Sequence, residues 1–134
     1  MATRSSISIK TSKSGGKTIY CHWDGYPSNN GKLLKKFYNT EAKVLELIAL
    51  GNLSILGETI GKKVAFDGFD SRENPQCLAY DRDRGETEQE ASNWTNKPTD
   101  LQEYNYLFKD GKWYVSRNDN NRYYPLTDKM IERE

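Results

Sequence analysis

The sequence of 134 residues has a single histidine, only two cysteines and no apolar run approaching the ~20 residues needed to cross a bilayer. One histidine excludes any metal site built on two histidines. The spacing of Cys21 and Cys77 fits neither a disulfide framework nor a zinc site. The first residues, Thr3-Arg4-Ser5-Ser6-Ile7-Ser8, lack the apolar core of a signal peptide. We therefore expect a cytoplasmic protein with reduced thiols, no metal or other cofactor, and no membrane partner.

The sequence also lacks an excess of either charge, since 20 basic and 19 acidic residues give a formal net charge of +1. Proteins that bind duplex nucleic acid through phosphates usually carry a basic face, so this balance argues against duplex nucleic acid as the partner. No phosphate-binding glycine loop of Walker or Rossmann type is present. Asp81, Asp83 and Gly85 resemble the opening of a calcium loop, but Ser92 stands where a bidentate carboxylate is required.

What the sequence does contain is enough apolar and aromatic material for one modest core. Hydrophobic residues make up 35% of the chain and aromatic residues 12%, including nine tyrosines. This amount favours an ordered globular protein over a disordered one. The length favours a single compact domain over residues 1–134.

Two hairpins are predicted. The alternation over residues 5–10 predicts a half-buried strand, and a second strand over residues 17–23 returns after a glycine turn. Residues 103–109 and 112–117 flank Asp110-Gly111, which is typical of a two-residue type I′ turn. That turn fixes a register in which one face bears the pairs Phe108–Trp113, Tyr106–Val115 and Tyr104–Arg117.

The helices are predicted to be short. One spans residues 33–38 with Asn30 or Ser28 as its cap, and a second spans residues 41–50 with Thr40 or Asn39 as its cap. The apolar stripe of the second helix is predicted to consist of Val44, Leu45 and Ile48.

Further elements are less regular. A turn is predicted at residues 118–121, an extra strand at 123–126 and a terminal helix at 127–134. Residues 77–80 are predicted to form a short buried strand and residues 64–66 a weak one. Residues 52–61 are read as a turn or short helix, and residues 87–100 as a long loop or irregular helix. The whole predicts an α+β fold, with a mainly antiparallel sheet from two hairpins and two or three short helices packed on one side.

The stretch Tyr20-Cys21-His22-Trp23-Asp24-Gly25-Tyr26-Pro27 concentrates side chains able to stack, titrate or hydrogen bond. Strand alternation places Ile19, Cys21 and Trp23 on one face, toward the core, and Tyr20 and His22 on the other. Cys21 and His22 therefore cannot form a nucleophile–base pair. Cys77 with His22 stays open as an enzymatic alternative, although free cysteines are usually core residues. No serine has a nucleophile-elbow context, so no catalytic residue is predicted.

A binding site is the better-supported hypothesis. His22, Trp23 and Tyr26 offer stacking faces, and Arg82 and Arg84 would point the same way onto a phosphate or carboxylate if their strand continued. Arg4 would join them if the first strand neighboured residues 77–80. The alternative is that Trp23 is core and the two later arginines form surface ion pairs with nearby carboxylates. The predicted ligand-binding residues are Arg4, His22, Trp23, Asp24, Tyr26, Arg82, Arg84 and Glu86.

Four segments together resemble a family of small proteins encoded by bacteriophages and prophages. They are Thr3-Arg4-Ser5, the stretch from Tyr20 to Pro27, Ala79-Tyr80-Asp81-Arg82-Asp83-Arg84-Gly85-Glu86, and Glu103-Tyr104-Asn105-Tyr106-Leu107-Phe108 with Lys112-Trp113-Tyr114-Val115. The resemblance implies a phage protein acting in the cytoplasm of a host bacterium, and no particular activity. Small phage proteins of this kind often counter host antiviral defence.

Three functions are compatible with this context. The first is a non-enzymatic protein that sequesters a nucleotide-type signalling molecule, a small phosphorylated ligand, through arginines and aromatic rings. Because such sites often lie between protomers, a homo-oligomer is expected. The second is an inhibitor that blocks a host defence protein through exposed tyrosines and charges. The third is a small hydrolytic enzyme that acts through Cys77 or His22.

Overall fold

The computed structural model describes residues 2–99, 101–117 and 122–133. The strands in these ranges are β1 (Ser5–Lys10), β2 (Gly15–Cys21), β3 (Leu53–Ile55), β4 (Leu78–Ala79), β5 (Ser92–Thr95), β6 (Tyr104–Lys109), β7 (Lys112–Arg117) and β8 (Tyr124–Pro125). The helices are α1 (Lys32–Phe37), α2 (Glu41–Ile48), α3 (Tyr80–Arg84) and α4 (Asp128–Arg133), and a π-helical turn (Pro27–Gly31) leads into α1.

All these strands belong to one sheet, in the order β4-β3-β2-β1-β6-β7-β8, with β5 pairing separately with β2. Most neighbours are antiparallel, whereas β1–β6 and β2–β3 are parallel. The first helices pack on one face, where Leu34 and Val44 meet Ile7, Ile19 and Tyr106 in the core. The predicted α+β class, with a mainly antiparallel sheet, is confirmed.

The C-terminal hairpin forms in the predicted register. Phe108 pairs with Trp113, Tyr106 with Val115 and Tyr104 with Arg117. Asp110 and Gly111 both have positive φ, at 52° and 75°, as a type I′ turn requires. The two aromatic rings of the first pair meet at a centroid distance of 5.2 Å.

The first strand, predicted to be half-buried, is buried on both faces. Ser6 Oγ donates to Asn105 Oδ1 at 2.7 Å, and the hydroxyls of Ser8 and Thr18 lie 2.6 Å apart. These pairs satisfy polar groups that would otherwise be costly to bury. The Trp94 ring lies over this face at Gly16, so the face that alternation assigns to solvent is covered there.

The two N-terminal helices differ from prediction in detail. Asn30 does not cap α1; its buried amide instead donates to Ser5 Oγ at 3.1 Å. Thr40 does cap α2, since its Oγ1 accepts the Lys43 N–H at 3.3 Å. The predicted apolar stripe is wrong at Leu45, which is 40% exposed, whereas Leu47 is buried.

Several short elements were missed because long-range pairing creates them. Residues 52–61, predicted to be a turn or a short helix, contain β3, and residues 87–100, predicted to be a loop or an irregular helix, contain β5. Residues 64–66 form no strand. The predicted strand at 77–80 is present as β4, the extra strand as β8 and the terminal helix as α4. The predicted turn at 118–121 lies outside the described residues.

Gly16 provides a test of the covered second face. A Cβ at this position would overlap the Ile9 carbonyl oxygen and the Trp94 ring, so Gly16→Ala is expected to destabilise the protein by about 2 kcal/mol. The measurement is the midpoint of urea unfolding. Lys13→Ala, an exposed change just before the same strand, is the control and should stay within about 0.5 kcal/mol of the wild type. Equal midpoints for the two variants would contradict the described packing of Trp94 on Gly16.

Candidate functional site

The two sequence segments that prompted the binding hypothesis lie next to each other in the fold. The first ends β2, and the second forms α3 directly after β4. Asn52 bridges them, because its Oδ1 accepts the Tyr20 N–H at 2.9 Å and its backbone oxygen accepts the Tyr80 N–H at 3.3 Å. Two tyrosines, one from each segment, are therefore held beside the same residue.

A chain of side-chain hydrogen bonds continues from Asn52 to the end of α3. Asn52 Nδ2 donates to Gln89 Oε1 at 2.9 Å, and Gln89 Nε2 donates to Glu86 Oε1 at 3.4 Å. The other carboxylate oxygen of Glu86 pairs with the Arg84 guanidinium. The Glu86 carboxylate is therefore paired with Arg84 and holds the orientation of its guanidinium.

Arg84 also lies against two aromatic rings. Its guanidinium carbon is 4.5 Å from the ring centroid of Phe66 and 4.8 Å from that of Tyr80. The two rings are themselves stacked, with centroids 5.7 Å apart. The Arg84 side chain is nevertheless 47% exposed, so part of the guanidinium can meet a ligand while the rest is held by cation–π contacts.

The Tyr20 hydroxyl connects the remaining groups. It lies 2.7 Å from His22 Nδ1. Burial raises the pKa of Tyr20, the nearby Arg4 guanidinium opposes that shift, and Tyr80 adds to it. Burial also raises the pKa of Tyr80, against hydrogen bonding by Ser54 and the charge of Arg84.

Ring contacts, the Tyr20–His22 hydrogen bond and the electrostatic effects of Arg4 and Tyr80 on Tyr20 relate six side chains, which we call the Arg4–Arg84 surface. Its members are Arg4, Tyr20, His22, Trp23, Tyr80 and Arg84. Arg4 reaches this surface by a route that the sequence did not predict, because β2 and β3 separate its strand from β4.

Trp23 belongs to the surface and not to the core. Strand β2 ends at Cys21, so the alternation that would turn Trp23 inward stops two residues earlier, and the prediction that it shares the face of Cys21 is wrong. The indole is 41% exposed. Its ring meets the His22 ring edge-on, with centroids 4.8 Å apart and planes at 89°. The exposed side chain is available to stack on a planar ligand.

Arg82 serves the fold instead of the surface. Its Nη1 donates to the Ile60 oxygen and its Nη2 to the Cys77 oxygen, both at 2.8 Å, while its Nε donates to Asp83 Oδ1 at 2.9 Å. The prediction that Arg82 and Arg84 point the same way is wrong, because the chain turns into α3 where a continued strand was assumed.

Asp24 and Tyr26 form a rim beside the surface. Tyr26 donates its hydroxyl hydrogen to Asp24 Oδ1 at 3.4 Å, and the Asp24 backbone oxygen accepts from Asn29 Nδ2 at 3.2 Å. Burial, with the charge of Asp24, raises the pKa of Tyr26. The described contacts of this pair lie within its own loop, so they shape that loop more directly than they reach Arg84.

Both cysteines are fully buried core residues, as the sequence predicts. Burial raises the pKa of Cys21 to about 12 and also raises that of Cys77. Cys77 Sγ lies 3.6 Å from the Tyr38 hydroxyl and 3.4 Å from the Gly57 nitrogen. Thiols in this state are protonated and inaccessible near neutral pH, which does not support Cys77 as a nucleophile.

Sequence reasoning missed three residues that build the site. Tyr20 could have been found, because it shares a strand face with the candidate His22. Tyr80 could also have been found had the segment been predicted to be helical, because it stands four residues before Arg84 in α3. Phe66 gave no local signal, since only the packing of α3 against residues 61–69 brings its ring to Arg84.

Two further properties concern the described ranges only. In residues 2–99, 101–117 and 122–133, no group of three or more histidine, cysteine, aspartate or glutamate side chains is arranged to hold a metal ion. None of the helices in those ranges combines the length and the apolar character needed to cross a membrane.

No protein-family model, curated protein or solved structure matches the chain. What the fold and the site define is a single-sheet α+β domain with a cationic and aromatic surface at one end of its sheet.

The Arg82–Asp83 pair beneath the surface gives a pH-dependent test. Burial alone would raise the pKa of Asp83, but hydrogen bonds from Arg82 and from the Ala79 and Val64 amides outweigh it and lower the pKa. Asp83→Asn is therefore expected to cost about 2–3 kcal/mol at neutral pH, because it leaves Arg82 without its anionic partner. Thermal unfolding measured across pH checks this.

The sign follows from the lowered pKa. The stabilisation by Asp83 is complete above the ordinary aspartate pKa of about 3.9 and is lost as pH falls through the lower folded-state value. The difference between wild type and Asp83→Asn should therefore shrink below about pH 4. Asp81→Asn, an exposed change in the same helix, is the control and should behave as wild type at neutral pH. A constant difference at all pH values would contradict a charged Asp83.

Proposed function

We propose that the protein is a phage-encoded, non-enzymatic binding protein that sequesters a nucleotide-type signalling molecule of host antiviral defence. The observation that carries the proposal is the Arg4–Arg84 surface itself. Three separate segments bring guanidinium groups and an exposed indole to this surface, and these are the groups that recognise phosphates and bases.

The chemistry of each group fits a small phosphorylated ligand. Arginine guanidinium groups match phosphate oxygens with pairs of donors, and both Arg4 and Arg84 are exposed. The raised pKa of Tyr80 leaves its hydroxyl protonated at neutral pH, so it can donate a hydrogen bond. Stacking of a base on an aromatic side chain such as Trp23 contributes about 1–3 kcal/mol.

Two other properties support a small ligand bound without turnover. The net charge of +1 favours a ligand with a few phosphates over a nucleic-acid polymer, which would require a more basic surface. Both thiols are buried and protonated, so the nucleophile of the hydrolytic alternative is lacking at Cys21 and Cys77. A homo-oligomer and action in the bacterial cytoplasm form part of the proposal.

A second candidate is direct inhibition of a host defence protein. It is favoured by the exposed Tyr124 on the short strand β8, which follows β7 in the sheet order. Tyrosine is enriched at the centres of protein interfaces.

The two candidates separate by ligand-induced thermal stabilisation. The probes are cyclic dinucleotides, linear oligonucleotides and adenine nucleotides. A nucleotide present at ~100 times its dissociation constant adds about 2.7 kcal/mol, which corresponds to a rise in melting temperature of about 10 °C for a domain of this size. We expect Trp23→Ala and Arg84→Gln each to weaken binding about tenfold or more, through loss of stacking or of a charged hydrogen bond.

Arg133→Gln, in α4, is the matched control for the loss of one positive charge and should bind as wild type does. Failure of every probe to raise the melting temperature would overturn the sequestration proposal. Recovery of a stoichiometric host protein, lost in Tyr124→Ala and kept in Arg84→Gln, would establish the second candidate instead.

A further inference from the structure

His22 is held between two rings of the Arg4–Arg84 surface. Its Nδ1 lies 2.7 Å from the Tyr20 hydroxyl, and its ring meets the Trp23 indole at 4.8 Å with the planes at 89°. It is the only histidine in the chain. These contacts leave open which ring nitrogen of His22 carries the proton, because either nitrogen of a neutral histidine can do so.

The neighbouring Arg4 favours one of the two positions of the proton. The positive charge of its guanidinium acts on the Tyr20 hydroxyl and favours the oxygen, rather than the hydrogen, of that hydroxyl turned toward Arg4. The hydroxyl hydrogen of Tyr20 is then free to point to His22 Nδ1. A nitrogen that accepts a hydrogen bond carries no proton, so the neutral ring carries its proton on Nε2.

We propose that Tyr20 is a positioning residue that fixes His22 as the Nε2–H tautomer and so presents one N–H donor beside the Trp23 indole. The ligand class that this fits has a hydrogen-bond acceptor, a phosphate oxygen or a base carbonyl, next to a planar ring that stacks on Trp23. The ligand part rests on the proposed function, whereas the tautomer does not.

The orientation of the donor is fixed from both sides. Tyr20 holds Nδ1 by a hydrogen bond, and the edge-on contact with Trp23 sets the angle between the imidazole and the indole. A base stacked on the indole would therefore meet the Nε2–H donor in one orientation. Pre-orientation of this kind favours binding because less conformational freedom is lost when the ligand is bound.

The tautomer can be read directly by long-range 1H–15N correlation spectroscopy of protein labelled with 15N-histidine. A single histidine gives a single set of signals. At about pH 8 the wild type should show a protonated Nε2 and an unprotonated Nδ1. Tyr20→Phe removes the donor and should give a mixture of tautomers, whereas Tyr26→Phe, which removes a nearby hydroxyl bonded to Asp24, should retain the wild-type pattern.

A protonated Nδ1 in the wild type, or an unchanged pattern in Tyr20→Phe, would overturn the positioning role. If Tyr20→Phe does not fold, Arg4→Met tests the same relay from an exposed position and should also yield a mixture; the wild-type pattern there would overturn the role assigned to Arg4.

A binding measurement tests the ligand part. With cyclic di-AMP and ADP as probes, Tyr20→Phe should weaken binding about fivefold to tenfold, as expected for one hydrogen bond. Tyr114→Phe, on strand β7 and separated from β2 by β1 and β6, should bind as wild type does. If Tyr20→Phe shows a mixture of tautomers but binds the probes with wild-type affinity, the donor role of His22 is refuted. If neither probe nor any other nucleotide binds the wild type, the proposed function fails, while the tautomer spectrum still decides the role of Tyr20.

Discussion

The hydrogen bonds of Asn52 join the three segments on which the site depends. Its side-chain oxygen accepts from Tyr20 on β2, its backbone oxygen accepts from Tyr80 at the start of α3, and its backbone N–H donates to the Gln89 oxygen at 2.7 Å. Strands β3 and β5 both pair along the same edge of β2, and Asn52 occupies the interval between them. Without its side chain, the Tyr20 N–H would lose its partner in a part of the sheet where an unmade bond is costly.

The electrostatics of the surface follow from this junction. Gln89 and Glu86 extend the hydrogen bonds of Asn52 to Arg84, and the rings of Phe66 and Tyr80 hold the other side of the guanidinium. Asp83 forms an ion pair with Arg82 and accepts hydrogen bonds from the amides of Ala79 and Val64. These contacts fix the turn from β4 into α3. One arginine of the segment is thus built into the fold, while the side chain of the other stays 47% exposed.

Local sequence patterns were sufficient where neighbouring residues decide the structure. The Asp110-Gly111 turn set the register of its hairpin, and Thr40 marked the start of α2. They were insufficient where distant residues decide it. Strand alternation predicted that Trp23 lies in the core. Strand β2 instead ends at Cys21, and the Trp23 N–H donates to the Ser54 oxygen on β3 at 3.0 Å.

The candidate site divides in the same way. His22, Trp23 and Arg84 could be predicted from residue type, because few side chains stack or bind phosphate. The different directions of the Arg82 and Arg84 side chains could not be predicted. They follow from the helical turn α3, at whose start the Ala79 N–H donates to Asp83 Oδ2 at 2.8 Å. The contribution of Phe66 could not be predicted either, since its segment has no regular structure and reaches Arg84 only through tertiary packing.

The central claim is that the Arg4–Arg84 surface holds a small phosphorylated ligand in the cell. Native mass spectrometry of the protein purified from phage-infected bacteria tests it most directly, because the masses report bound ligand, bound protein and oligomeric state together. The account predicts a wild-type mass increased by a nucleotide-sized ligand, and no such increase for the Trp23→Ala/Arg84→Gln double variant. A wild-type protein that carries no small ligand and instead forms a stoichiometric complex with a host protein would contradict it.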